Sequence, residues 1–191
     1  MEKVRKWIVL AAGVCAAGSI LLILLQAKNL LPTALAAQLE KVSYFNWNTE
    51  WGNGRGRIWT FALKVYGEAN LPRKLFGVGP DCLNSYIEAY YSEEVRLLWG
   101  DMVLTNAHNE WFNILISDGL FGCVSYIGIF VTALYRFLKV KPRDLVMTAV
   151  AAAAVSYMAY DFFCYQEVLC TPFIFILLGI GEYIWRRCSD S

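Results

Sequence analysis

The chain has 191 residues, 58% of them hydrophobic and 17% charged, with a mean hydropathy of +0.42, whereas an ordinary soluble domain is roughly 45–50% apolar and is excluded on that ground. A formal net charge of +1 offers no argument for a nucleic-acid partner. The six cysteines lack the paired spacing of a zinc site and the single histidine cannot build a multi-histidine one, so neither metal nor cofactor is expected.

The first predicted element is an uncharged run from Trp7 to Gln26, long enough for the roughly 20-residue helix that crosses a bilayer. Lys3, Arg5 and Lys6 precede it. A basic start, an apolar run and Ala34-Leu35-Ala36 also satisfy the recipe for a cleaved signal peptide. The run exceeds the about 7–15 apolar residues of such peptides, so an uncleaved anchor is expected.

A polar stretch from about Lys28 to Asp118 follows, too long for a simple connector and too rich in aromatics for disorder. Within it Asn53-Gly54-Arg55-Gly56 predicts a turn. Ile58, Phe61, Ala62 and Val65 then fall at i, i+3, i+4 and i+7, the stripe of an amphipathic helix ending near Gly67, before Pro72. Arg55 stands at the N-terminus of that helix, where backbone N–H groups and the dipole already favour an anion. Leu75-Phe76-Gly77-Val78-Gly79-Pro80-Asp81 predicts a second tight turn, read as structural because it lacks the ending of a phosphate loop. It opens a helix from about Cys82 to Trp99.

Asn106-Ala107-His108-Asn109-Glu110-Trp111-Phe112-Asn113 leads toward the next apolar segment. His108, the sole imidazole, is suited to acid–base work near neutral pH, and at a helix start the positive dipole end keeps it available as a base. The plainer reading is an ordinary polar helix start.

Three further apolar segments close the chain: Leu120 to Leu138, Leu145 to Tyr160, which is alanine-rich and short enough to be re-entrant instead, and Val168 to Ile184, which carries Glu182. Arg136 ends the first of these, Lys139, Lys141 and Arg143 lie between it and the second, and Arg186 and Arg187 follow the last. With the basic N-terminus they give one topology, both termini cytoplasmic and the long loop outside. The expected fold is an all-α integral membrane protein of about four transmembrane helices. Its parts are residues 1–27, an extracytoplasmic loop over 28–118, and a three-helix part over 119–191. Cys164 and Cys170, near the outer face, are read as packed thiols rather than a bridge.

Arg55 before Ile58-Trp59, then Gly77-Val78-Gly79-Pro80, then His108-Asn109 running into Gly119-Leu120-Phe121-Gly122 occur in one order. Together they resemble the O-antigen ligase and polymerase family of bacterial envelope enzymes, over roughly Arg55 to Leu138. The resemblance implies metal-independent glycosyl transfer at the outer side of the cytoplasmic membrane. A glycan on undecaprenyl diphosphate would pass to an acceptor hydroxyl on another glycan or a lipid. On that pattern Arg55 and His108 are the catalytic candidates. A guanidinium suits a diphosphate leaving group through bidentate charge-assisted bonds, and a neutral imidazole suits deprotonation of the acceptor. Arg57, Trp59 and Trp111 are secondary candidates for substrate binding, the tryptophans being equally suited to anchoring at the membrane surface.

Family enzymes of this kind have many more membrane helices ahead of the large loop. The chain therefore looks like the carboxy-terminal portion of such an enzyme, with a partner supplying the missing helices as a further implication. The alternative from another class is a non-enzymatic membrane scaffold with an external binding domain. A transporter is disfavoured, because solute pathways need ionisable groups inside the bilayer and these segments offer almost none.

Overall fold

The computed structural model describes residues 18–19, 21–139 and 145–189. Lys3, Arg5, Lys6, most of the first apolar segment, Lys141 and Arg143 lie outside them. Among the described residues the regular structure is all helical. The chain divides into two compact units, Met1–Thr60 and Phe61–Ser191.

In the first unit, α1 (described over residues 21–27) stops at Asn29, whose φ of +54° is left-handed. The Leu30 N–H donates to Leu25 O at 2.9 Å and the Asn29 N–H to Gln26 O at 3.0 Å, so the closing carbonyls are satisfied from beyond the helix end. Pro32 then precedes α2 (Thr33–Leu39). A 3-10 turn at Ser43–Phe45 leads toward α3 (Trp51–Glu68). Asn46 Nδ2 reaches back to Glu40 O at 2.8 Å, tying this irregular segment to the end of α2.

The expected amphipathic stripe of α3 is present, with Phe61, Ala62 and Val65 buried and Ile58 half-buried. In the second unit that part of α3 meets α5 (Leu83–Trp99), which buries Leu83, Ile87 and Val95. The Phe61 ring lies edge-on to Tyr91 and Trp99, at 5.8 and 5.4 Å. Lys64 Nζ bonds Glu94 at 2.7 Å along the outer side. Between them α4 (Leu71–Phe76) starts on Asn70, whose side chain accepts the Arg73 N–H, and carries Pro72 in its first turn, where no N–H is needed.

The remaining helices are α6 (Glu110–Ser117), α7 (Gly119–Lys139), α8 (Leu145–Phe163) and α9 (Thr171–Ser189). The last three share one core of Phe130, Phe137, Met147, Val150, Ala151, Ala154, Ile174 and Leu178. Small residues let them approach: a Cβ on Gly181 would come within 2.4 Å of the Phe137 ring, the behaviour expected where close fit rather than hydrophobic drive joins helices.

Helices α7 and α8 are each long and apolar enough to cross a membrane, spanning about 31 and 28 Å at the usual rise per residue. Their outer faces argue the same way. Leu120, Phe121, Val124, Val131 and Leu138 on α7 and Val146, Val155, Phe162 and Phe163 on α8 are exposed, the reverse of a core helix in a soluble protein. The alanine-rich segment forms a continuous helix of 19 residues, Leu145–Phe163. α9 exposes Phe173, Ile176, Ile180 and Tyr183 but ends in charge. Glu182 receives Arg136 from α7 at 2.7 Å and Arg186 at 2.9 Å. Cys164 and Cys170 are both free thiols.

Candidate active site

In the first unit the Asn53 turn takes the form that its residues predict. Gly52, Asn53 and Gly54 are successively left-handed, at φ +61°, +64° and +86°, which Gly tolerates and Asn adopts most readily among the others. The regular helix resumes at Arg55. Its Nη1 donates to Gly52 O at 2.7 Å, folding the guanidinium back across the turn. Gly56 is obligatory for another reason: a Cβ there would lie 1.9 Å from Asn48 O. Arg57 pairs with Glu50. Trp59 is 4% exposed, its ring 5.9 and 5.3 Å from those of Trp47 and Trp51. Trp51 in turn donates its indole N–H to Tyr44 O at 2.9 Å. This tryptophan cluster sits beside the turn and holds it.

In the second unit three asparagines shape the loop that carries His108. Asn106 Oδ1 accepts the His108 N–H at 3.0 Å, and Asn113 Oδ1 accepts the Ala107 N–H at 2.8 Å. Asn109 caps α6 by accepting the Phe112 N–H at 3.1 Å. Its amide also donates to Phe162 O at 2.9 Å, fastening the loop to the end of α8. Asn109 is 1% exposed. Held on both sides, His108 adopts φ +47°, uncommon for a residue with a Cβ and maintained here by the surrounding bonds. The imidazole is half-buried, with its ring 5.7 Å from that of Tyr165 and inclined at 65°.

The glycine motif ahead of α5 and the one opening α7 form a single joint. The N–H groups of Val78 and Gly79 donate to Ile116 O and Ser117 O at 3.0 and 2.8 Å, satisfying carbonyls at the C-terminus of α6 that have no partner in their own helix. A Cβ on Gly77 would meet Ser117 O at 2.1 Å, and one on Gly119 would meet Leu75 O at 2.4 Å. Gly77-Val78-Gly79-Pro80 is therefore structural, as its lack of a phosphate-loop ending suggests, and it sets the position of α6.

Glu110, in the first turn of α6, is a site residue that the sequence does not single out. It is 7% exposed. Its Oε2 accepts Asn113 Nδ2 and the Gln166 N–H, both at 3.0 Å. Burial pushes its pKa up, the Asn113 and Gln166 bonds oppose the rise, and the charges of Asp118 and Asp81 add to it. Asp118 is raised by burial as well. The signal was present as amides and acid at i, i+3 spacing, Asn106, Asn109/Glu110 and Asn113, but its partner Gln166 is 56 residues away. Asn106, Glu110, Asn113 and Gln166 line a cleft of about 830 Å³ beside α7, with Tyr126 and Tyr165 in its wall. Trp111 does not line it, and its buried indole Nε1 has no hydrogen-bond partner among the described residues.

Of the residues expected to act, His108 and Trp111 belong to the second unit, and Arg55, Arg57 and Trp59 to the first. Among the described residues no group of three His, Cys, Asp or Glu gathers to hold a metal ion.

No curated protein and no solved structure matches the chain. A family model described as O-Antigen ligase matches residues 1–127. The match takes in both the Arg55 turn and the His108 loop, and reaches further toward the N-terminus than the motifs alone. With about two thirds of its length so matched, the chain belongs to the O-antigen ligase family of polysaccharide assembly.

Proposed function

We propose that this chain takes part in glycosyl transfer from a polyprenyl-diphosphate carrier to an acceptor hydroxyl during envelope polysaccharide assembly, with Arg55 and His108 as its catalytic residues. The acceptor oxygen attacks the anomeric carbon and a new C–O bond forms. The bond from that carbon to the diphosphate breaks, and its electron pair leaves with the lipid-linked diphosphate. The hydroxyl proton passes to the His108 imidazole, within the about 2.6–3.2 Å that general-base catalysis requires. Arg55, at a helix N-terminus, stabilises the charge growing on the leaving group. Arg57 and Trp59 contribute beside it, and Trp111 beside the acceptor. The chain lies in the bacterial cytoplasmic membrane as a four-span protein with both termini inside and this chemistry outside.

The observation that carries the reading is the backbone of His108. A left-handed histidine fastened by Asn106, Asn109 and Asn113 beside a polar cleft is expensive to build for an ordinary helix start, and such strain clusters at functional sites. Family membership supplies the reaction class.

Photo-crosslinking with a polyprenyl-diphosphate glycan tests the donor side on the full chain in membranes. The native chain is expected to label, and Arg55→Ala to lose label by about tenfold or more, the order of one hydrogen bond to a charged group. Equal labelling of both would remove Arg55 from the site. A stable protein complex with no lipid labelling at all would favour a scaffold.

A further inference from the structure

Arg73 differs from most basic residues of the chain. Arg57, Lys64, Arg96, Arg136 and Arg186 each pair with a glutamate. Arg73 meets no carboxylate among the described residues; its partners are the phenols of Tyr86 and Tyr90. The guanidinium carbon lies 5.0 and 5.1 Å from the centres of those two rings, and Nη1 and Nη2 donate to the two hydroxyls, each at 3.4 Å. Tyr86 and Tyr90 stand one turn apart on α5 with their ring centres 4.9 Å from each other, a platform that holds the cation through its π faces. Both hydroxyls accept from Arg73, and their own protons go to no described residue. Lys74, half-buried, follows in α4. A guanidinium and two phenolic O–H groups thus offer donors and positive charge with no acceptor to meet them, the chemistry that receives a phosphate.

The platform adjoins an apolar face. Phe76 follows Arg73 at i+3, on the same side of α4. It is 68% exposed, and its ring lies 5.4 Å from that of Phe121, itself 54% exposed in the first turn of α7. Leu120 and Val124 extend the exposed apolar face along α7, which is long and apolar enough to cross a membrane. With α7 in a bilayer, the two phenylalanine rings enter the edge of the hydrocarbon and Arg73 stands at the headgroups, the level that long basic and aromatic side chains prefer. None of Arg73, Tyr86 and Tyr90 lines the cleft beside α7, and Tyr90 is exposed. The platform therefore opens on the outside of the protein, where lipid surrounds it.

We infer that Arg73, seated on the rings of Tyr86 and Tyr90, binds the phosphate of an anionic phospholipid at the membrane surface where α7 begins. Lys74 adds to the attraction for a negatively charged headgroup. The inference rests on α7 lying in a membrane and is independent of the chemistry assigned to Arg55 and His108.

The test is native mass spectrometry of the full chain in detergent, titrated with phosphatidylglycerol or with phosphatidylcholine of the same acyl chains. Phosphatidylglycerol is expected to bind about tenfold more tightly, the order of one hydrogen bond to a charged group. Arg73→Ala and the double variant Tyr86→Phe/Tyr90→Phe are each expected to remove most of that preference while binding phosphatidylcholine as the native chain does. The phenylalanine pair keeps both rings, which guards against a loss caused by α4 coming away from α5. Equal binding of the two lipids by the native chain, or an undiminished preference in both variants, overturns the inference. Displacement of phosphatidylglycerol by equimolar undecaprenyl diphosphate would make the platform a donor site, and displacement by millimolar inorganic phosphate a free-anion site; either result overturns the assignment to a phospholipid.

Discussion

Glu110 illustrates how much one buried carboxyl is asked to do. It binds its proton more tightly in the folded chain than in the unfolded one, because burial raises its pKa from the usual value. Stability from this group is therefore fully present below about pH 4, where the unfolded chain is also protonated, and declines as pH rises through the raised value. The thermal midpoint of the native chain in detergent should fall relative to that of Glu110→Gln as pH is raised over that window. A constant difference between the two would show that burial does not act on this residue. His108 is legible in the sequence because it is the only imidazole and lies in a motif. Glu110 is not, since an acid in the first turn of a helix is ordinary dipole chemistry and its burial depends on Gln166, brought in from the α8–α9 turn.

At the level of elements, the joint between the Gly77 turn and α6–α7 explains why glycine recurs at those points. Gly77→Ala forces a Cβ against Ser117 O while keeping φ at +78°. The clash and the backbone strain together should cost about 3 kcal/mol or more. Gly100→Ala, at φ +70° with open space around it, carries only the strain, about 1–2 kcal/mol. Unfolding midpoints of the two variants check this, and equal losses would mean the joint is loose. Local punctuation announces both turns and both amphipathic helices, so α3 and α5 begin and end close to where Asn, Gly and Pro place them. What the sequence cannot announce is that Val78 and Gly79 bond to Ile116 and Ser117, because the partners are separated by an intervening helix. Nor can it announce that Trp59 sits inside a tryptophan cluster. Spacing alone allows an interface anchor or a sugar platform equally well.

For the whole molecule, hydropathy marks α7 and α8 as long and apolar enough to cross a membrane, and their exposed apolar faces agree. It is less decisive for α9, where Glu182, Arg186 and Arg187 shorten the apolar stretch and an ion pair with Arg136 links its end to α7. Helix α8, which buries Ala154 in the core it shares with α7 and α9, also fastens the His108 loop, because Asn109 Nδ2 donates to Phe162 O at its end. The most direct measurement is glycan transfer in cells that depend on this chain, comparing the native protein with His108→Ala at matched membrane levels. The account predicts that the variant inserts normally and transfers no glycan; transfer at the native rate would contradict it.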